Sequence, residues 1–99
     1  MTVSGKYECI TKTPMGDQKT IYDIVVDGDS FSGTNTGSLG TLDLRNGKIV
    51  GNRLTWTMRM IKPFPINFEG EVEIIDGNLS GIIKAGVMGS SEITGKRIG

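Results

Sequence analysis

Five side chains have the chemistry and the spacing to hold a small molecule: Tyr7, Tyr22, Trp56, Met58 and Phe68. Two phenols, an indole, a thioether and a phenyl ring offer apolar contact area, and the hydroxyls and the indole N–H add direction. That combination suits an apolar or aromatic ligand held in a pocket with few polar anchor points. With Phe31 and Met60, the same residues would also fill a core and leave no room, and their spacing alone does not separate the two outcomes. Tyr7 and Tyr22 are in addition the candidate acid or base of a cofactor-free lyase, isomerase or cyclase, a reading that nothing beyond the pocket favours.

Other chemistries are closed off by what the chain lacks. It contains no histidine and a single cysteine, Cys9. A histidine-based triad and an internal disulfide are therefore excluded, and the commonest zinc ligands are missing or solitary. The sequence implies no metal and no cofactor. Eleven basic residues balance eleven acidic ones, so no field exists to hold a nucleic acid. Glu69, Glu71 and Glu73 form an acidic ladder beside a segment carrying Arg59. Their parity opposes Phe68 and Val72, which predicts a solvated face rather than paired catalytic carboxylates. The reverse register would turn Arg59, Glu69 and Asp23 inward. Gly37-Ser38-Leu39-Gly40 and Gly86-Val87-Met88-Gly89 lack the helix that a phosphate loop needs, and read as turns.

The candidate residues sit on segments that alternate, as strands do when one face is dry. Leu54, Trp56, Met58 and Met60 point one way along Arg53–Ile61; Thr55, Thr57 and Arg59 point the other. The same two-residue period places Tyr7, Cys9 and Thr11 together in Gly5–Thr13. Thr20, Tyr22, Ile24 and Val26 share a face of a second strand, and Ile66, Phe68, Val72 and Ile74 of a sixth. Further strands are expected at Phe31–Thr36, from Leu39 through Leu44, at Leu79–Lys84 and at Gly89–Arg97. Asn46-Gly47 predicts a bulge that carries the fourth strand on to Val50 rather than a split. Turn residues punctuate the rest: Pro14-Met15-Gly16-Asp17, Asp27-Gly28, Gly51-Asn52, Lys62-Pro63-Phe64-Pro65 and Asp76-Gly77. Fifteen glycines and three prolines in 99 residues fit this density of turns. No apolar run has the helical period, so the chain is all-β.

An internal repeat supports eight strands. The segment from Asp27 parallels the segment from Asp76, an offset of 76 − 27 = 49, which also relates Tyr7 to Trp56, Cys9 to Met58 and Pro14 to Pro63. The register slips by one after the Asp-Gly pair, so that Ser32-Gly33 matches Ser80-Gly81. Two four-stranded halves joined by short turns make an antiparallel meander with two exposed edges, and eight strands suffice to close it. The expected architecture is a single domain, residues 1–99, forming a closed up-and-down β-barrel with its first and last strands paired.

The turn motifs carry a resemblance. Thr13-Pro14-Met15-Gly16-Asp17, the DGDxxSGT segment Asp27–Thr34 and the NGKxxGNxL segment Asn46–Leu54 resemble those of small bacterial β-barrel domains, and more broadly the calycin-like lipocalins and avidins. The chain is shorter than either, and Tyr7 stands where lipocalins carry a tryptophan. The resemblance implies fold more than function. It sharpens the expectation of a small hydrophobic molecule bound inside the barrel by Tyr7, Tyr22, Trp56, Met58 and Phe68. The alternative is a filled barrel acting as an interaction module, a homodimer or an enzyme partner, through an outer patch of Ile10, Ile21 and Val25. Met15, Phe64 and Met88, in turns, are expected to pack there rather than guard a mouth. The opening residues show neither a basic region nor an apolar run of leader length, and no stretch reaches the ~20 apolar residues of a membrane helix. A cytoplasmic protein with no membrane partner is expected.

Overall fold

The computed structural model describes residues 3–38, 40–61 and 65–99. Eight strands follow one another: β1 (Gly5–Thr13), β2 (Gly16–Asp27), β3 (Ser30–Gly37), β4 (Gly40–Val50), β5 (Arg53–Met60), β6 (Ile66–Ile75), β7 (Asn78–Lys84) and β8 (Ser90–Arg97). A single 3-10 turn, Gly86–Met88, precedes the last strand, and no α-helix occurs among the described residues. Each strand pairs antiparallel with the next, and β1 pairs with β8, so the sheet closes into an up-and-down barrel. Closure pairs the first strand with the last, so the meander's two outer edges are not left open. The expected fold class is the observed one.

Turn chemistry sets the register. Ile75 pairs with Asn78 across Asp76-Gly77, whose φ values are +52° and +78°. Two positive φ angles are the mark of a tight primed turn, which glycine and aspartate tolerate. In the first half, however, Asp27 pairs with Ser30 across Gly28-Asp29. The two Asp-Gly pairs are therefore not equivalent, and the slip in the repeat falls before them. Pairing shows the true correspondence: Ile24 opposes Gly33 as Val72 opposes Gly81. A Cβ on Gly33 would meet the Asp23 carbonyl oxygen at 1.8 Å, and one on Gly81 the Glu71 carbonyl oxygen at 2.1 Å. Only glycine fits where the strands approach so closely.

β4 runs unbroken to Val50, with one extra residue against both neighbours. Phe31 pairs with Gly47 and Gly33 with Leu44, while Arg45 pairs with Thr57 and Lys48 with Thr55. Asn46 takes the left-handed φ of +55° and donates from Nδ2 to Thr57 Oγ1 at 3.0 Å. The bulge expected at Asn46-Gly47 is present.

The dry face lines the barrel interior. Tyr7, Cys9, Tyr22, Ile24, Phe31, Leu44, Leu54, Trp56, Met58, Val72, Ile74, Leu79, Ile83 and Ile93 are buried, and no polar or charged residue among those described is. At ~25 cal/mol per Å² of apolar surface, removing this set from water is the main favourable term for folding. Glu69, Glu71 and Glu73 lie outside with Arg59, as their parity predicts, and Arg53 reaches Glu71 (3.9 Å) and Glu73 (3.6 Å). All three partners are about half exposed, so the pairs add little stability. Ile10, Ile21 and Val25 share the outer face of β1 and β2. There they alternate with a Glu8–Lys19 ion pair (3.5 Å), Ile10 opposing Lys19 and Ile21 opposing Glu8.

Candidate ligand cavity

The inward residues change character along the barrel axis. At the end holding the β2–β3, β4–β5 and β6–β7 turns, large apolar side chains fill the interior. Trp56 is the centre of this half. Its indole stands edge-on to Tyr22 at 5.5 Å and to Phe31 at 6.1 Å between ring centroids. Across the β5–β6 ladder it faces Gly70, where a Cβ would lie 2.4 Å from the indole carbons. Tyr7 donates its hydroxyl to the Val3 carbonyl at 2.8 Å, and Val3 packs against the core. This end is sealed.

Toward the other end the inward positions of β1 to β3 become small and polar: Thr11, Thr13, Gln18, Thr20 and Asn35. The rest of the lining keeps apolar side chains, Leu42 beside Asn35 and then Met58, Met60, Phe68 and Ile83. Small residues opposite medium ones leave a cavity of about 780 Å³, open at the mouth, with one hydrogen-bonding wall and one apolar wall. That volume is within the range of small-molecule sites, roughly 300–1,000 Å³. At the turn tips around the mouth, Met15, Val87 and Met88 are exposed rather than packed; Phe64 lies outside the described residues.

The cavity also opens sideways. The β4–β5 ladder covers only Arg45–Val50 on β4, whereas β5 pairs with β6 all the way to Met60. Beyond Arg45 the two strands part, and the outward residues Asp43, Arg45 and Arg59 border the cavity through the slit. Arg59 donates to Asn67 Oδ1 at 3.1 Å. Among the described residues these exposed groups are the only charged ones on the lining, and the interior carries none.

Two oxygens on the polar wall lack partners. Thr20 Oγ1 and Asn35 Oδ1 are buried without a hydrogen bond, although Asn35 Nδ2 donates to Met58 Sδ at 3.7 Å. Of the five residues singled out from the sequence, Tyr22, Met58 and Phe68 meet on the cavity wall. Tyr7 and Trp56 lie below it in the packed half, and the indole N–H is itself buried and unpartnered. Trp56 meets the cavity wall at Tyr22. Aromatic content drew attention to the filled half; the signal for the hollow half was the run of inward threonines and Asn35.

Burial acts on three weak acids of the inner face. Burial pushes the Cys9 thiol up to about 12, with Glu8 adding to the effect. Burial likewise raises the Tyr22 phenol, with a smaller push from Cys9. Burial raises Tyr7 too, against the pull of Arg97. All three are neutral near pH 7, and no cluster of acidic residues and Cys9 among those described would hold a metal. No helix of the described residues is long and apolar enough to cross a membrane.

No protein-family model and no curated protein matches the sequence. Among solved structures the chain is similar to a protein described as "REP1-NXSQ fatty acid transporter", with a TM-score of 0.60 and 15% identity over 98% of this chain and 96% of that one. At such identity the likeness establishes the barrel fold.

Proposed function

We propose that this chain binds a small hydrophobic molecule in the open half of its barrel. The observation that carries the reading is the uneven filling of the interior: a packed, sealed end supports a cavity with an apolar wall of Leu42, Met58, Met60, Phe68 and Ile83. A barrel whose only task was to present its outer surface would gain stability by filling that space with larger side chains. The similar structure bears the name of a fatty acid transporter, which is compatible with an apolar ligand. Tyr22, Met58 and Phe68 contact the ligand in this reading, and Tyr7 and Trp56 support them from below.

Binding of the neutral dye Nile red, read by its fluorescence and by thermal shift, tests the proposal. A ligand that binds the native state alone raises its stability by mass action. Saturable one-to-one binding that disappears in the cavity-filling variant Thr11→Trp, with the fold intact by circular dichroism, is the expected result. Absence of saturable binding, or equal binding by Thr11→Trp, would refute it. The outer face of Ile10, Ile21 and Val25 supports a second reading, self-association, in which sedimentation would show a concentration-dependent dimer.

A further inference from the structure

The polar wall narrows the chemistry of the ligand. Thr20 and Asn35 project inward from neighbouring strands. Asn35 pairs with Tyr22, and Gly37 lies against Thr20, a Cβ there meeting Thr20 Cγ2 at 2.8 Å. The two residues are thus diagonal neighbours on one face. Thr20 Oγ1 and Asn35 Oδ1 are the unpartnered oxygens of this wall. An unsatisfied buried polar atom is costly, so such groups ordinarily find a partner. Asn35 Oδ1 can only accept, while the Thr20 hydroxyl can also donate. Both residues line the cavity, so a ligand held by them requires each oxygen to turn toward its surface. A hydroxyl placed between them would donate to Asn35 and accept from Thr20, satisfying both at once. A carboxylate would not. Ionised, it has no proton for Asn35 Oδ1, and among the described residues no cation lies in the interior to balance it; Arg45 and Arg59 border the cavity from outside, at the slit.

Resting on the cavity reading above, we infer that the ligand is a neutral hydroxyl-bearing apolar molecule, an alcohol or phenol, bound with its hydroxyl between Thr20 and Asn35 and its apolar body against Met58, Phe68 and Ile83. The inference separates two occupants that the apolar wall alone would treat alike, a long-chain alcohol and a long-chain acid.

The test is calorimetric titration of the protein with three probes of equal chain length: decanol, decanoate and decyl methyl ether. The ether keeps the oxygen and removes the donor. Decanol is expected to bind about tenfold more tightly than the ether, the effect of one net hydrogen bond, and more tightly than decanoate. In Asn35→Leu, which keeps the side-chain shape, the preference for decanol over the ether should vanish while the ether's own affinity persists. Thr20→Val gives the same comparison from the other side of the clamp. Should either variant fail to fold, the wild-type ranking of the three probes still decides. If decanoate binds as tightly as decanol or more tightly, or if alcohol and ether bind alike, the inference falls and the apolar cavity stands. If none of the three binds, both fall.

Discussion

Replacing Gly70 by alanine should destabilise the barrel through one contact. Gly70 opposes Trp56 across the β5–β6 ladder, and an added Cβ would lie 2.4 Å from two indole carbons and 2.7 Å from a third. Ordinary contact begins near 3.4 Å, so the ring must move by about 1 Å. It has little freedom to do so, because Tyr22 and Phe31 meet it edge-on and it is almost wholly buried. Overpacking of this kind costs about 1–3 kcal/mol. Gly70 does not have a positive φ, so alanine also stiffens the unfolded chain, which returns about 0.4–1 kcal/mol. The net loss is then about 1–2 kcal/mol, or roughly 5–15 °C in Tm for a chain of this size. Urea unfolding followed by Trp56 fluorescence and by circular dichroism would show a lower midpoint at unchanged slope. The decisive control is Trp56→Phe, which removes the carbons that the new methyl strikes. In that background Gly70→Ala should cost almost nothing, a coupling that a double-mutant cycle measures. An equal cost in both backgrounds, or no cost in the wild type, would show that the indole is not wedged as described.

Two other perturbations address the same interior. Because burial raises Cys9 to about 12, and raises Tyr22 and Tyr7 in the same direction, the native state holds protons that the unfolded chain releases once pH passes the ordinary values of 9.0 and 10.0. Stability from these groups is present in full below pH 9 and is lost as pH rises toward 12, by at most about 1.4 kcal/mol per pH unit for each group. Urea midpoints measured across that window should fall, and Cys9→Ala should flatten the slope; a pH-independent midpoint would contradict the burial of these protons. At the bulge, Asn46→Ala should cost about 1–2 kcal/mol for the left-handed backbone plus about 1 kcal/mol for the lost bond to Thr57. Asn46→Gly should recover the first part alone, so equal midpoints for the two variants would argue that the φ of Asn46 is unstrained.

Strand alternation and turn residues made the barrel, its eight strands and the bulge at Asn46-Gly47 legible from the sequence, because each depends on neighbours within a few positions. The same alternation assigned Tyr7, Tyr22, Trp56, Met58 and Phe68 correctly to the inner face. It carries no information about height along the barrel axis, which depends on how far each strand is staggered against the next. Tyr7 and Trp56 therefore sit in the plug, while Tyr22, Met58 and Phe68 reach the space above it. The slit between β4 and β5 was beyond sequence reading for a related reason. Whether two adjacent strands stay paired over their whole length is decided by the curvature of the closed sheet, not by either strand alone.

The ladders that join the two halves of the molecule, β4 to β5 and β1 to β8, are both shorter than any ladder within a half. Mechanically, the barrel is two stiff shells sewn along two short seams. One seam is already unstitched for the length of the cavity, from Gly40 to Leu44 on one lip and from Met58 to Met60 on the other. A guest that parted those lips would break no backbone hydrogen bond between them. Bore and doorway can widen together by flexing the seams, while the shells keep their internal registry.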